Sequence, residues 1–290
     1  MGNMREVKER KHEAGLHPVR IRNITGELLM IAFTCVFLFP FYVMIILAVK
    51  TPAQALMDPL SFPTEIQLSN FSTAWEMTDF PRVFLNTLII TVVSVTLIVL
   101  VTGMGTFVMH RTKNQFVRRL YYFFIAGMMI PFYLSLCPSV RLMKNLGLMD
   151  SILGICISYV GRNVPFAVFL FMGFIRSVPN DLAESAVIDG CSPFRMYWGI
   201  YFPLLKHVVS TLVILDTMAI WNDFLYPLLV LQTKKNQTLT LVQYVFRSEA
   251  NTQWNLIFAS YVLSMLPLLI TYFALQKNIV EGIAAGAVKG

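Results

Sequence analysis

Two charged side chains, Arg162 and Asp216, fall deep inside long apolar stretches of the sequence. In a chain of 290 residues that is 56% hydrophobic and only 13% charged, a charge so placed is costly. It needs a cavity, a counter-charge or a polar substrate. Arg162 lies about eleven residues into one apolar run and Asp216 about nine into another, which at 1.5 Å per helical residue puts both near mid-depth, about 14–17 Å in. Three readings stand open: a structural Arg162–Asp216 pair, groups lining a hydrophilic path separately or together, or an Arg162 that meets an acidic group on a substrate. Asn163, Trp221, Asn222, Asp223 and Tyr226 offer hydrogen-bonding groups and aromatic faces of the kind that hold a hydroxyl-rich solute. Packing and membrane-belt roles compete for the aromatics.

Other chemistry is missing from the sequence. His12, His17, His110 and His207 are far apart, and no paired carboxylates, Ser/His/Asp set or metal-ligand spacing gathers at one face. Cys35, Cys137, Cys156 and Cys191 are scattered without disulfide or metal spacing. No G-x-x-x-x-G-K-[ST] motif is present, so nucleotide phosphates have no P-loop to sit in. The chain is read as having no catalytic residues, no metal and no cofactor of its own, and any energy it uses arrives by contact.

A polar stretch between two apolar runs, 179–203, offers such a contact. Pro179 suits a first helical turn, and Asn180 or Asp181 can cap nearby donors. Ala183, Ala186, Val187 and Gly190 fall at i, i+3, i+4 and i+7, a small-residue face that would let another protein approach the backbone. Gly190 reads as the helix stop, and Ser192 and Pro193 as cap and first position of a second helix. An ordinary amphipathic connector is the plainer alternative.

The elements that must position these groups are membrane spans. Leu28–Val49 is 22 almost uncharged residues, enough for a bilayer core of about 30 Å. Ala53-Gln54-Ala55 mimics a signal-peptidase site, but the run before it is too long for a leader, so the first span is read as uncleaved. Further spans are predicted at Leu88–Met109, Leu120–Val140, Ile152–Ile175, Val208–Leu231 and Ile257–Leu275. The fold class is all-α and polytopic: a basic tail over 1–27, a six-span domain over 28–276, and a C-terminal tail over 277–290. Fifteen Lys and Arg fall on the side holding both termini and the 179–203 loop, against seven on the other; the positive-inside rule places the first set in the cytoplasm. The net charge of +7 is therefore read as membrane-flanking, with lipid as a partner and no nucleic acid. Outer loops at Lys50–Pro81 and Gln232–Asn255 are polar and aromatic, with Trp75 and Phe80 as candidate interfacial anchors. The second outer loop, with Thr238 to Leu241, Tyr244, Phe246 and Trp254, also suits docking of a soluble protein.

Glu184, Ala186, Gly190, Ile200 and Pro203 fit the spacing E-A-A-x3-G-x9-I-x-L-P, which resembles the signature loop of inner-membrane permease subunits of bacterial ABC importers. Ser185 replaces the favoured Ala and Phe202 the favoured Leu. The likeness extends through Phe84-Leu85-Asn86-Thr87, Met129-Ile130-Pro131, Leu146-Gly147-Leu148, Val164-Pro165-Phe166 and Trp221-Asn222-Asp223-Phe224. The tail from Gly282 to Gly290 resembles the maltose-type carbohydrate permeases, on their MalG-like side.

That resemblance implies a type I importer fold in a bacterial cell membrane and an assembly around it. A MalF-like second permease would share the pathway, and two ABC ATPase subunits carrying ATP and Mg would bind below. An extracytoplasmic solute-binding protein would deliver a sugar. It also implies ATPase coupling through Glu184, Ser185, Ala186, Asp189, Gly190, Ile200 and Pro203, and ATPase contact by Gly286, Val288, Lys289 and Gly290. A secondary transporter driven by an ion gradient, an integral-membrane enzyme and an ABC permease for a non-sugar solute are the alternatives.

Overall fold

A computed structural model describes residues 24–242, 246 and 252–287. Most of the basic tail, together with Tyr244, Val288, Lys289 and Gly290, lies outside the described residues. Two compact units are distinguished, Met1–Met44 and Ile45–Gly290. The described part of the first belongs to helix α1 (Ile24–Ala48). Its side chains Phe33, Val36 and Phe37 are exposed, as a lipid-facing helix requires. Thr34 returns its hydroxyl to the Met30 carbonyl at 2.8 Å, so it asks nothing of its surroundings.

The second unit carries α2 (Pro52–Met57), α3 (Ser69–Met77), α4 (Phe80–Arg111), α5 (Gln115–Met128), α6 (Phe132–Asn145) and α7 (Ile152–Ile175). After these come α8 (Asn180–Ile188), α9 (Pro193–Met196), a π-turn (Tyr197–Tyr201), α10 (Phe202–Leu204), α11 (Lys206–Trp221), α12 (Leu225–Val230) and α13 (Trp254–Ala287). Helix α4 is the mast. Pro81 sits in its first turn, where a missing N–H costs nothing, and His110 and Arg111 lie in its last turn, where cations suit the carbonyl ends. Its buried face runs Thr87, Ile90, Thr91, Ser94, Ile98, Thr102 and Thr106 along α7, while Leu85, Ile89, Val92 and Val101 face outward. The main core gathers Ile98, Ile155, Phe171, Ile175, Tyr197, Tyr201 and Leu212. Between apolar helices in lipid, close packing and internal hydrogen bonds hold such a core rather than release of water.

Among the described residues, three helices are long and apolar enough to cross a membrane: Gly26–Ala48, Phe80–Arg111 and Ile152–Ile175. The number rises to five if each of two bent pairs is one crossing, and Trp254–Pro267 is a shorter apolar stretch. The predicted run Leu120–Val140 is not one rod. Helices α5 and α6 meet at 106° across Met129–Pro131, because proline pushes the residue before it out of helical conformation. Val208–Leu231 is likewise interrupted, at Asn222–Phe224, and its N-terminal side meets Pro193–Leu204 at 75°. Helix α13 runs on to Ala287, past the predicted end of the last span.

Polar clamps order the segments between α1 and α4. Lys50 is fully buried, its Nζ donating to the Asp58 carbonyl at 2.6 Å and to Ser61 Oγ at 3.2 Å. Asn70 donates to the carbonyls of Ala48 and Lys50 at 2.9 and 2.8 Å and accepts from Asn255 at 2.9 Å, tying α3 to α13. Of the predicted interfacial anchors, Phe80 is buried and Trp75 stacks on it at 4.5 Å between ring centroids.

Candidate functional site

The first candidate element is the knob formed by α8 and α9. Pro179 takes the N-cap of α8 rather than its first turn, and no side chain caps the helix start. The predicted small-residue face is divided: Ala183 is 0% exposed and Ala186 6%, both packed in the main core with Val178 and Met196, while Val187 and Gly190 are exposed. The outward side is apolar and larger, with Leu182, Val187 and Phe194 exposed and Ile188 at 85%. The stop is as predicted. Gly190 has φ +72°, its N–H reaches the Val187 carbonyl at 3.0 Å, and the Cys191 N–H reaches the Ala186 carbonyl at 2.9 Å. These two bonds make a Schellman closure, which requires a left-handed residue that glycine supplies cheaply. Ser192 caps α9 by accepting from the Arg195 N–H at 3.3 Å, with Pro193 in the first position.

Ser185, where the signature favours Ala, donates its hydroxyl to the Asp181 carbonyl at 2.9 Å. The hydroxyl is thus satisfied within its own helix. Glu184 and Asp189 are exposed. Below the knob, Tyr197 and Tyr201 pack on Phe107 of α4 with ring centroids 5.6 and 4.9 Å apart. Gly103 makes this approach possible, because a Cβ there would collide with the Tyr197 hydroxyl. Ile200 is half-buried against the core and Pro203 is exposed in α10.

The second element is a cleft of about 750 Å³ between α6 and α7, open to Arg162, Asn163, Phe132, Ser139 and Tyr226. Arg162 pairs here with Asp223, at 2.9 Å, and not with Asp216. The break after α11 decides this, since it carries Asp223 back towards α7; its Oδ1 accepts the Tyr226 N–H at 3.4 Å. Tyr159, one helical turn before Arg162, donates to the same carboxylate at 3.2 Å. The guanidinium lies over the Phe132 ring, 4.1 Å from its centroid, within cation–π range. Ser139 and the Tyr226 hydroxyl are hydrogen-bonded at 2.9 Å, and Asn163 donates to the Tyr159 carbonyl at 2.9 Å. The arrangement offers hydroxyls, an amide and aromatic faces around a neutralised ion pair.

The other polar candidates separate from it. Asp216 is buried at 3% exposure, with Oδ2 lacking a hydrogen-bond partner. Trp221 joins Phe80, Val83, Leu239 and Val242 in a different cluster. Asn222 is exposed and donates to the Met218 carbonyl at 2.9 Å. Gly286 belongs to α13, while the rest of the predicted C-terminal contact lies outside the described residues. Sequence reasoning missed Phe132, Ser139 and Tyr159; only Tyr159 left a signal, its i−3 spacing from Arg162.

The connection after α12 is held by three side chains: Asp150, which sequence reasoning missed, and Asn86 and Thr87. Asp150, itself at φ +51°, accepts from the Gln232 and Thr233 N–H groups at 3.0 and 3.1 Å and from Thr233 Oγ1 at 2.8 Å. Desolvation is the largest single influence and works against its ionisation, but the bonds from Thr233, Asn236 and Gln232 together outweigh it and hold the carboxyl below its ordinary range. Asn86 donates to the carbonyls of Lys235 and Gln237, both at 2.9 Å, and Thr87 Oγ1 accepts the Leu239 N–H at 2.9 Å. Asn86 and Thr87 thereby gain a physical role: they tie the loop to α4.

A family model described as "Binding-protein-dependent transport system inner membrane component" matches residues 102–284. The chain belongs to this family of transport permeases. The matched region runs from the middle of α4 to α13 and includes both the knob and the cleft. This permease is 35% identical over 274 residues to a probable starch degradation products transport system permease protein, AmyC, of Thermoanaerobacterium thermosulfurigenes, covering 94% of this chain and 100% of that one. It is 32% identical over 264 residues to the melibiose/raffinose/stachyose import permease protein MelC of Bacillus subtilis, covering 91% and 95%. Among solved structures, a chain of a bacterial ABC transporter involved in import of the acidic polysaccharide alginate superposes with a TM-score of 0.77. It shares 21% identity and covers 89% of this permease and 96% of that chain. At that identity the likeness speaks for the fold of the permease alone.

Proposed function

We propose that this chain is the MalG-like permease subunit of an ATP-driven importer for a sugar or oligosaccharide. In this reading six spans place both termini and the 179–203 knob in the cytoplasm. A second, MalF-like permease completes the pathway, two ATPase subunits supply the drive, and an external binding protein delivers the solute. The relatives named for starch products and for raffinose-type sugars support the substrate class. The observation that carries the coupling role is the knob itself. It is rooted through Ala183, Ala186, Tyr197 and Tyr201 and closed at Gly190, yet it leaves Leu182, Val187, Ile188 and Phe194 uncovered. Exposed apolar side chains on a rigid projection suit a partner surface. With Glu184 and Asp189 at its flank, the knob passes a tilt of the ATPase pair into α7 and α11 as rigid-body movement. The C-terminal residues Gly286 and Val288 to Gly290 add a second ATPase contact.

In the cleft, Asp223 already answers the charge of Arg162, which favours a neutral saccharide over an acidic one. Hydroxyl groups would exchange hydrogen bonds with Asn163, Ser139 and Tyr226, with Phe132 as a stacking face. The test is uptake of labelled oligosaccharides into vesicles holding this permease, a second permease, the ATPases and a binding protein. ATP-dependent uptake that stops when any one component is omitted is the expected result; uptake by this chain alone on an ion gradient overturns the proposal.

A further inference from the structure

A second cavity, of about 620 Å³, opens where the end of α4, the first turns of α5 and the end of α7 meet. We infer that it binds a phosphate group, held by Arg118, Arg119 and Arg176, and that its natural source is the headgroup of an anionic phospholipid. Its lining includes those three arginines and His110, and no Asp or Glu. Among the described residues, the ion pairs are Arg82–Asp79 and Arg162–Asp223, so none of the three guanidiniums has a carboxylate partner. Arg176 is held in place over the Tyr121 ring, 5.2 Å from its centroid.

Cations gathered in one concavity repel each other unless an anion joins them, and the guanidinium fork matches phosphate oxygens two at a time. Neutral saccharide chemistry gives no reason for three such groups here, away from the Arg162 cleft. The position favours a lipid over a soluble ion. The cavity lies beside Arg111, where the long apolar helix α4 ends, and α5 exposes Phe116, Tyr122 and Phe123 beside it. A headgroup in the cavity would leave its acyl chains along those aromatics, the arrangement expected of an interfacial helix with arginines at headgroup level. That the leaflet is the cytoplasmic one rests on the orientation proposed above; the site itself does not.

The test is native mass spectrometry of the full chain with its partner subunits, delipidated in neutral detergent and titrated with phosphatidylglycerol, phosphatidylcholine or inorganic phosphate. Wild type should retain phosphatidylglycerol in preference to phosphatidylcholine. R118Q/R119Q/R176Q should bind it about a hundredfold more weakly, about fivefold per arginine. R118K/R119K/R176K, which keeps the charge and checks the fold, should fall between the two. R141Q/K144Q, away from the cavity, should match wild type. Saturable binding of inorganic phosphate that the Arg→Gln changes abolish, without phosphatidylglycerol preference, supports the phosphate site and moves its source to solution. Equal phosphatidylglycerol binding by wild type and the Arg→Gln variant overturns the inference. The readout uses no sugar and no ATP, so it stands or falls apart from the transport function.

Discussion

Gly190 separates a stability effect from a docking effect. At φ +72° an ordinary L residue is strained, by about 1–2 kcal/mol, with Asn and Asp tolerated best. Beyond its two chain neighbours, a Cβ built at Gly190 meets no atom of the described residues within 4 Å. Steric crowding within this chain therefore adds nothing to the strain of Gly190→Ala. Backbone strain alone ranks Gly190→Ala as worse than Gly190→Asn or Gly190→Asp. Docking ranks them the other way, because Asp is larger than Ala and adds a charge beside Asp189. We expect all three variants to insert normally and to lose no more than about 2 kcal/mol in detergent melts, Ala the most. ATP-driven uptake should fall by about tenfold or more in Gly190→Asp, equivalent to about 1.4 kcal/mol of lost docking, and least in Gly190→Ala. Uptake that follows the stability order, or wild-type uptake by Gly190→Asp, would refute the reasoning.

Three further outcomes are expected. Asp223→Ala, which strands Arg162, should destabilise the protein by about 1–3 kcal/mol, less than the ~3–5 of a fully buried pair because Arg162 is partly open to the cleft. Adding Arg162→Ala should recover much of that loss in melts, whereas combining Arg162→Ala with Asp216→Ala should recover nothing. Asn86→Ala, which leaves the Lys235 and Gln237 carbonyls without a donor, should cost about 1–3 kcal/mol and make the loop before Thr238 newly sensitive to protease. The Asp150 carboxyl is depressed in the folded protein, so its clamp is complete above the ordinary carboxylate range and is lost as pH falls through the lower folded value. Protection of the Gln232 and Thr233 amides from hydrogen exchange, relative to the unstructured rate at each pH, should be high at neutral pH, fall only in strong acid, and be low at all pH in Asp150→Ala.

Local signals read well where a single residue type decides the backbone. Gly190 closes a helix, and Ser192 and Pro193 open the next one, because φ and capping are properties of those residues. Burial direction was harder to read. Ala183 and Ala186 share a face, as their spacing says, but spacing cannot tell whether that face meets the chain's own core or a stranger. Prolines were ambiguous for a similar reason. Pro131 marks a break, while Pro138, Pro165 and Pro267 lie inside helices that continue past them. The partner of Arg162 depended on such a break. A straight helix through Val208–Leu231 sets Asp216 at the matching depth, and only the interruption at Asn222–Phe224 brings Asp223 instead. Asp150 left no trace in the sequence because its bonds span more than eighty positions.

The turn at Tyr197–Tyr201 winds as a π-helix, wider by one residue than its neighbours. The projection above it is stapled at both corners, whereas its stalk holds a spare residue and then Pro203, which has no N–H to give. A push on the tip thus moves it as one piece, and the stalk is where its angle to the rest of the chain is set. Deleting one residue from this stalk would tighten the wide turn into an ordinary one and swing the tip by about 100° around the axis it stands on. The surface would keep its chemistry and face the wrong way.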